Sequence, residues 1–483
     1  MKEMVEHTLL PQATYEQVDV ELNGQERIGK WKAYAEYKAS GVEWLGEIPE
    51  HWEVKRLKFL CTVNPSKAET HILSKDTVVS FLPMELIGED GQLSLTEQRE
   101  IHQVQQGYSY FRSGDVIVAK ITPCFENGKG ALCEQLINTI GFGTTELHTI
   151  RPGRYLHALF LFYTTRSTPF RHLGAANMIG SAGQQRVPEE FINDFPLAQP
   201  PLEEQHAIAT FLNHKTTRIK DLIAKKERHI ALLQEQRIAL INQAVTKGLN
   251  TDVPMKDSGV EWLGQIPEHW SYRQFKHIAD ISYGLTLELD RTETEGTCIL
   301  SLPNLTKDGQ LILHDVPLTP LTPQEKTHLL LRKGDLLFNW RNGSLDHVGK
   351  TAYFNADGEY THVSFLLRVR FDTEQYEPRY YHMFLNNLRS TGFFSASKSR
   401  INNTYNQAEL KRLEVIVPPL QEQKAIAAYL EQETTKINKL ITGIQESIKK
   451  LKEYSTTLIS AAVTGKIDVR GEVAVKIQAV APR

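Results

Sequence analysis

Two stretches of the chain carry apolar residues at mixed three- and four-residue steps. Between Leu202 and Lys247 they are Ile208, Leu212, Ile219, Leu222, Ile230, Leu233, Leu240 and Ala244. Between Leu420 and Thr464 they are Ile426, Leu430, Ile437, Leu440, Ile444, Ile448, Leu451, Leu458 and Ala462. Such steps place one apolar stripe along a helix and are those of a coiled-coil seam. Pro200-Pro201 and Pro418-Pro419 stop a preceding strand and suit the start of a helix. Gly248 and Gly465 stand where C-terminal caps belong. A helix of roughly 45 residues is about 67 Å long, too long to lie on one compact domain. Ahead of each helix the pattern changes to short β-type runs punctuated by Gly, Pro and Asn-Gly. Val78–Leu82 and Val116–Val118 read as strands in the first block, Ile299-Leu300 and Leu336–Phe338 in the second. Leu156–Tyr163 and Tyr380–Leu388 are apolar patches suited to helices, so each block is expected to be a mixed α/β domain.

The two halves share a frame. SGVEWLGEIPEHW at Ser40–Trp52 returns as SGVEWLGQIPEHW at Ser258–Trp270, and PPLEEQ at Pro200–Gln205 returns as PPLQEQ at Pro418–Gln423, each pair 218 positions apart. Between these markers the halves differ strongly. A constant frame around divergent blocks suits two different surfaces presented in one geometry. The order domain, helix, domain, helix leaves the second helix with an apolar seam in need of a partner, and the first helix run antiparallel supplies it. The expected fold class is therefore α+β: two mixed α/β domains separated by two long helices that form an antiparallel coiled coil, as a pseudo-twofold internal repeat. The boundaries are an N-terminal extension over 1–36, read as an appended arm or mobile tail, the first mixed domain over 37–200, and a helical spacer over 201–250. The second mixed domain covers 251–418, the second spacer 419–467 and a C-terminal tail 468–483. Lys226 and Arg237 interrupt the first seam and would face Ser455 and Ile444. Either both snorkel at the seam edge or they fix the register of the pair. The constant WLGEIPEHW segment is assigned to packing against the helix ends, with a contact to a partner subunit as the alternative.

Composition narrows the function class. A chain of 483 residues implies two or three domains, and 41% apolar with 23% charged residues is ordinary for a globular protein. No apolar run reaches the length of a membrane span, and MKEMVEHTLLPQ lacks a signal-peptide core, so the cytoplasm is the expected compartment. Cys61, Cys124, Cys133 and Cys298 are scattered and do not form zinc spacing. The net charge of −3 does not announce nucleic acid, so any such binding falls to local patches.

Catalytic motifs are imitated but not met. Gly343 to Thr351 resembles a phosphate loop, yet five residues separate its glycines where four are needed, and Ala352-Tyr353-Phe354-Asn355 reads as a strand instead of the required helix. Asn64-Pro65-Ser66 lacks the aromatic with which amino-methyltransferases stack a base, and no glycine-rich cofactor loop accompanies it. What remains are polar loops at equivalent stations. Arg112-Ser-Gly-Asp115 and Arg332-Lys-Gly-Asp335 are turns leading to strands and then to loops that contain Asn-Gly. The first loop offers Lys120, Thr122, Asn127 and Lys129, the second Asn339, Arg341, Asn342 and Lys350. Later polar runs add Gln184, Gln185 and Arg186 in the first block and Lys398, Arg400 and Asn402 in the second. Arg, Lys, Asn and Gln are the side chains that read purine edges in the major groove, which makes these the candidate DNA-binding residues. Solvated surface loops are the competing reading.

The chain resembles the specificity subunit of type I restriction–modification systems. The resemblance runs from about Tyr37 to Val469. It rests on SGVEWLGEIPEHW, GDVIVAKITPCFENGKG at 114–130, GSAGQQRVP at 180–188, and the paired PPLEEQHAIATFL and PPLQEQKAIAAYL leading to AVTKGL and AVTGKI. It implies that the mixed domains are target-recognition domains, each reading one half of a bipartite site in double-stranded DNA, and that the helices set the unspecified spacer. It also implies a non-catalytic chain without a cofactor of its own. The implied partners are two modification subunits, which bind S-adenosylmethionine and methylate adenine, and restriction subunits that use ATP and Mg, in a bacterial or archaeal cytoplasm. A helix of about 67 Å spans roughly two turns of duplex. Different loops in the two blocks imply an asymmetric site. A coiled-coil scaffold without sequence-specific binding and a stand-alone DNA-modifying enzyme are the alternatives.

Overall fold

The first long helix spans Leu202–Lys247 and the second Leu420–Val463 in a computed structural model of the protein, which describes residues 31–181, 183–286, 294–306, 308–341, 347–396 and 404–472. Gly248 and Gly465 end them with φ of +81° and +72°, a left-handed conformation that costs glycine nothing. The chain divides into two compact units. Unit one lies within Met1–Glu227 and Ile444–Arg483, and unit two is Arg228–Gly443. Among the described residues no helix is long and apolar enough to cross a membrane.

In unit one, Val78–Leu82 pairs in parallel with Ile140–Gly143, and with Gln98–Glu100 and Ser109–Arg112 they form a mixed four-stranded sheet. An antiparallel sheet follows in the order Cys61–Val63, Leu147–Pro152, Val116–Ala119, Gly130–Leu132. The helix Ala158–Arg166 covers it, burying Phe160, Leu161 and Phe162 in one core with Val116, Val118 and Ile150. Unit two repeats the plan. Ala279–Tyr283, Leu366–Phe371, Leu336–Asn339 and Thr351–Tyr353 form its antiparallel sheet, and Thr297–Leu300 pairs in parallel with Tyr360–His362. The runs expected to be strands on pattern alone are strands, and Tyr380–Leu388 lies in the helix Pro378–Ser390.

The long helices run antiparallel, and each unit shows this independently. In unit one Ile208 and Leu212, early in the first helix, share a core with Leu458, Ala462 and Val463, late in the second. In unit two Ala244 and Val245, late in the first helix, share a core with Ile426, Ala427 and Leu430, early in the second. One seam position differs from expectation. Leu440 is 56% exposed, and its neighbour Ile441 is half-buried in its place. The seam therefore runs Ile437, Ile441, Ile444, Ile448, Leu451, a strict alternation of four and three that keeps it facing one way. Arg237 reaches outward, as expected of a side chain that snorkels at the seam edge. Its guanidinium lies 3.8 Å from Asp308 of its own unit.

The duplicated motif locks onto the helix ends. In unit one Trp52 is fully buried and its Nε1 donates to Glu204 Oε1 at 3.2 Å, while His51 Nε2 lies 2.7 Å from Glu204 Oε2. In unit two Trp270 Nε1 donates to Glu422 Oε2 at 2.9 Å and His269 Nε2 lies 2.7 Å from Glu422 Oε1. Each indole also closes over a helix-ending glycine: a Cβ on Gly465 would lie 3.1 Å from Trp52, and one on Gly248 would lie 3.1 Å from Trp270. The neighbouring glutamines are buried hydrogen-bond hubs. Gln205 receives His157 N–H and donates to Pro200 O, and Gln423 receives Glu377 N–H and donates to Pro418 O. EHW and PPLxEQ are thus two halves of one joint, which explains why both are constant.

Within the extension over 1–36, read as an appended arm or mobile tail, residues 31–36 dock through Trp31 and Tyr34, as an arm would. Trp31 meets Phe211 edge-on at 5.0 Å, Tyr34 OH donates to Glu204 Oε1 at 2.6 Å, and Asp468 N–H donates to Lys32 O at 2.7 Å. Burial, with Glu204 next to it, pushes the Tyr34 phenol well above its usual range. Residues 1–30 lie outside the described residues.

Candidate nucleic-acid interface

The turns Arg112–Asp115 and Arg332–Asp335 anchor the two candidate loops. Asp115 and Asp335 are each 1% exposed, and each accepts the N–H of its turn's arginine, at 2.9 Å from Arg112 and 2.7 Å from Arg332. Each is also gripped by two nitrogens of an arginine on the adjacent strand, Arg151 at 2.8 and 2.8 Å, and Arg370 at 2.7 and 2.6 Å. A turn fixed in this way sets where the following strand emerges at its far end.

In unit one that strand opens into the loop from Lys120. Lys120 N–H donates to Glu146 O at 2.9 Å, and Lys120 O accepts Val187 N–H at 2.8 Å. Thr122 donates its N–H and its hydroxyl to Gln185 O at 3.0 and 3.1 Å, and Ile121 bridges Arg186. The two polar runs, 60 positions apart at Lys120 and Gly180, thus become one edge carrying Lys120, Thr122, Gln184, Gln185 and Arg186. Gln184 and Asn127 are exposed. Arg186 is held bidentately by Glu146, Nε and Nη2 both at 2.9 Å, and its Nη1 donates to Gln184 O at 3.2 Å. The hydrogen bonds from Arg186 hold the Glu146 carboxyl below the usual carboxylate range. Beneath this edge His148 Nε2 donates to Val187 O at 2.8 Å, and burial lowers its proton affinity. Asn64, first residue of the false methyltransferase motif, sits behind it, with its amide 3.2 Å from His148 Nδ1 and 2.6 Å from Glu189 Oε2.

Unit two builds the same junction. Arg341 bridges Thr404, as Ile121 bridges Arg186, and Tyr405 N–H donates to Trp340 O at 2.7 Å. Arg341 is exposed, with its guanidinium 5.9 Å above the ring of Phe365, itself 44% exposed. Asn342, Lys398, Arg400 and Asn402 lie outside the described residues.

Three candidates take supporting places instead of the exposed ones expected of them. Asn339 is 1% exposed and its amide donates to His347 O at 2.9 Å. Lys350, the lysine of the false phosphate loop, is 7% exposed and donates to Leu305 O at 2.8 Å. Lys129 is half-buried and donates to Met84 O at 2.9 Å. Glu146 and Phe365 are the neighbours that residue type alone does not single out.

Against known proteins, the profile described as type I restriction modification DNA specificity domain matches residues 49–231 and again 267–450. The chain belongs to this family. It carries two copies of the specificity domain, each taking in the first part of the long helix that follows it. It is 40% identical over 165 residues to the EcoAI specificity subunit of Escherichia coli, a match that spans 34% of this chain and 27% of that protein. It is 24% identical over 326 residues to the StySPI specificity subunit of Salmonella potsdam, covering 66% of this chain and 67% of that one. The fold is similar to a chain from a study of complex assembly and conformational transition in the type I R-M system (TM-score 0.70, 19% identity, 86% of this chain and 98% of that one). It is also similar to the HsdS subunit from Thermoanaerobacter tengcongensis (TM-score 0.52, 19% identity, 87% and 98%).

Proposed function

We propose that this chain is the DNA-reading, non-catalytic subunit of a type I restriction–modification complex. The two target-recognition domains, 37–200 and 251–418, each read one half of an asymmetric bipartite site. The helical spacers, 201–250 and 419–467, set the unspecified gap and dock two modification subunits. S-adenosylmethionine then belongs to the modification subunits, and ATP with Mg to the restriction subunits, in the cytoplasm of a bacterium or archaeon. The observation that carries this reading is the junction built twice: Ile121 with Arg186 and Arg341 with Thr404 stand at equivalent stations and display different side chains. A scaffold has no use for such diversified loops on a constant frame.

In the first domain the reading residues are Lys120, Asn127, Gln184, Gln185 and Arg186, with Thr122 holding the edge together. In the second they are Arg341 and, by sequence, Asn342, Lys398, Arg400 and Asn402. Lys129, Asn339 and Lys350 brace the loops. A guanidinium has five donors, and three of those of Arg186 are spent on Glu146 and Gln184, which leaves two for a base edge. Two donors suit guanine O6 and N7.

Methylome sequencing of a host carrying the complex tests the assignment. Gln185→Ala and Arg186→Ala should relax only the half-site read by the first domain, by about 1–3 kcal/mol of discrimination. A change in the other half-site would refute the placement. Inserting four residues beside Glu227 adds about 6 Å of helix rise. It should lengthen the unspecified spacer and leave the letters of both half-sites as they were; altered letters would count against the spacer role.

A further inference from the structure

The turn from Pro123 to Lys129, which presents Asn127, is gripped from behind by one side chain. Arg171, on the helix Thr168–Ala176, donates through Nη1 to Phe125 O at 2.8 Å and through Nη2 to Gly128 O at 3.3 Å. These carbonyls flank Glu126-Asn127. The turn also closes on itself, Asn127 N–H to Pro123 O and Gly128 N–H to Phe125 O, both 2.9 Å, with Gly128 at φ +83°. The guanidinium lies 4.8 Å above the Phe125 ring, so it holds the side chain of the turn as well as its backbone. Beside the turn lies an open cleft of about 670 Å³, lined by Asn127, Gly128, Arg166, Arg171 and Lys220 among others. Space into which the turn could shift is therefore present.

Arg171 is an unusual choice for mere packing. Among the described residues no carboxylate pairs with it, and its Nε is buried without a partner. Burial, with Arg166 nearby, lowers its proton affinity to about 9, so it remains charged at neutral pH. A cation in such a place is costly unless its donors are needed.

The sequence places the same residue at the same station in the other domain. Arg171-His172-Leu173-Gly174 and Arg389-Ser390-Thr391-Gly392 stand 218 positions apart. Across residues 166–176 and 384–394 the arginine and the glycine are the two identities, in domains whose frames are constant but whose interiors diverge. In the first domain the glycine, inside the helix Thr168–Ala176, belongs to the same device, whereas Gly392 follows the end of its helix with φ +81°. A Cβ on Gly174 would fall 2.3 Å from the Phe125 ring, so glycine lets the turn's aromatic seat against the helix while Arg171 closes over it.

We propose that Arg171 is a positioning residue of the first domain's reading loop, fixing from the helix behind it the backbone of the Pro123–Lys129 turn and so the selectivity of one half-site. This inference rests on the bipartite reading proposed above. Lysine keeps the charge but cannot hold two carbonyls with a fixed planar fork. In the complex with modification subunits, Arg171→Lys should lower discrimination at the first half-site by roughly tenfold, the scale of one lost hydrogen bond, and leave the second half-site unchanged. Gly174→Ala, which displaces the Phe125 ring and keeps the arginine, should relax the same half-site as Arg171→Lys and covers the case in which the lysine variant folds poorly. Half-site-resolved methylome sequencing with binding to single-mismatch duplexes reads both. Unchanged discrimination in Arg171→Lys and Gly174→Ala, or a loss spread equally over both half-sites, overturns the inference. A wild-type complex that methylates no bipartite site overturns the functional reading instead, before any variant is compared.

Discussion

Trp270→Ala is expected to destabilise unit two by about 3–5 kcal/mol, the usual cost of emptying a fully packed aromatic site. The indole is 1% exposed, lies on Gly248 at the end of the first long helix, and donates to Glu422 in the first turn of the second. One side chain therefore joins both helix ends, and its loss opens a cavity and removes a hydrogen bond together. Trp270→Phe separates the two effects: it keeps most of the volume and should forfeit about 1 kcal/mol for the missing N–H donor. Amide hydrogen exchange on the full chain is the measurement. Protection should fall across Arg228–Gly443 and hold in unit one, since the residues that Trp270 touches lie in unit two. The same substitution at Trp52 should act on unit one. There Tyr34 and His51 continue to satisfy Glu204, so Trp52→Phe should be milder than Trp270→Phe. Protection lost evenly over both units in either variant would contradict the joint described here.

The frame was legible because it is written twice. The repeat of EHW and PPLxEQ announced a joint, and the seam with its flanking Pro and Gly located both long helices. Leu440 was misplaced because Leu440-Ile441 offers two adjacent apolar residues, and only the strict four–three alternation chooses Ile441. Trp31 and Tyr34 were hidden by the same reliance on repetition: with no counterpart in the second half they resembled a tail, although three aromatics spaced by three, Trp31, Tyr34 and Tyr37, are poor material for one. In the candidate interface, residue type found the loops but not their orientation. Asn339 and Lys350 sit at strand ends, where one position separates a side chain facing inward from one facing solvent. Arg171, which grips the Pro123–Lys129 turn, was hidden because arginine on a helix suggests surface until its contacts are known.

Asp335→Ala should cost about 3 kcal/mol, the low end of the cost of breaking a buried pair, because Asp335 is 1% exposed and the arginine it strands, Arg370, is 19% exposed. Asp335 supplies both carboxylate oxygens to Arg370 and accepts the N–H of Arg332; without it, among the described residues Arg370 retains the bond from Nη2 to Leu330 O alone. The equivalent Asp115→Ala should be distinctly milder. Arg151 has a second anion in Glu69, whose Oε1 lies 2.6 Å from Nη1, and Glu69 is further tied to Arg112 and Tyr110. Burial lowers the proton affinity of Arg151, but Asp115 and Glu69 together raise it above the usual arginine value, and Glu69 still faces the guanidinium after Asp115 is removed. Denaturant unfolding of the two variants therefore discriminates between a shared fold with equal parts and one whose two copies have been braced differently. Equal losses would mean that Glu69 contributes nothing at its half-exposed position. A larger loss for Asp335→Ala, recovered in the double variant Asp335→Leu with Arg370→Met, would show that the penalty is the stranded charge, since removing both partners leaves no cation to desolvate.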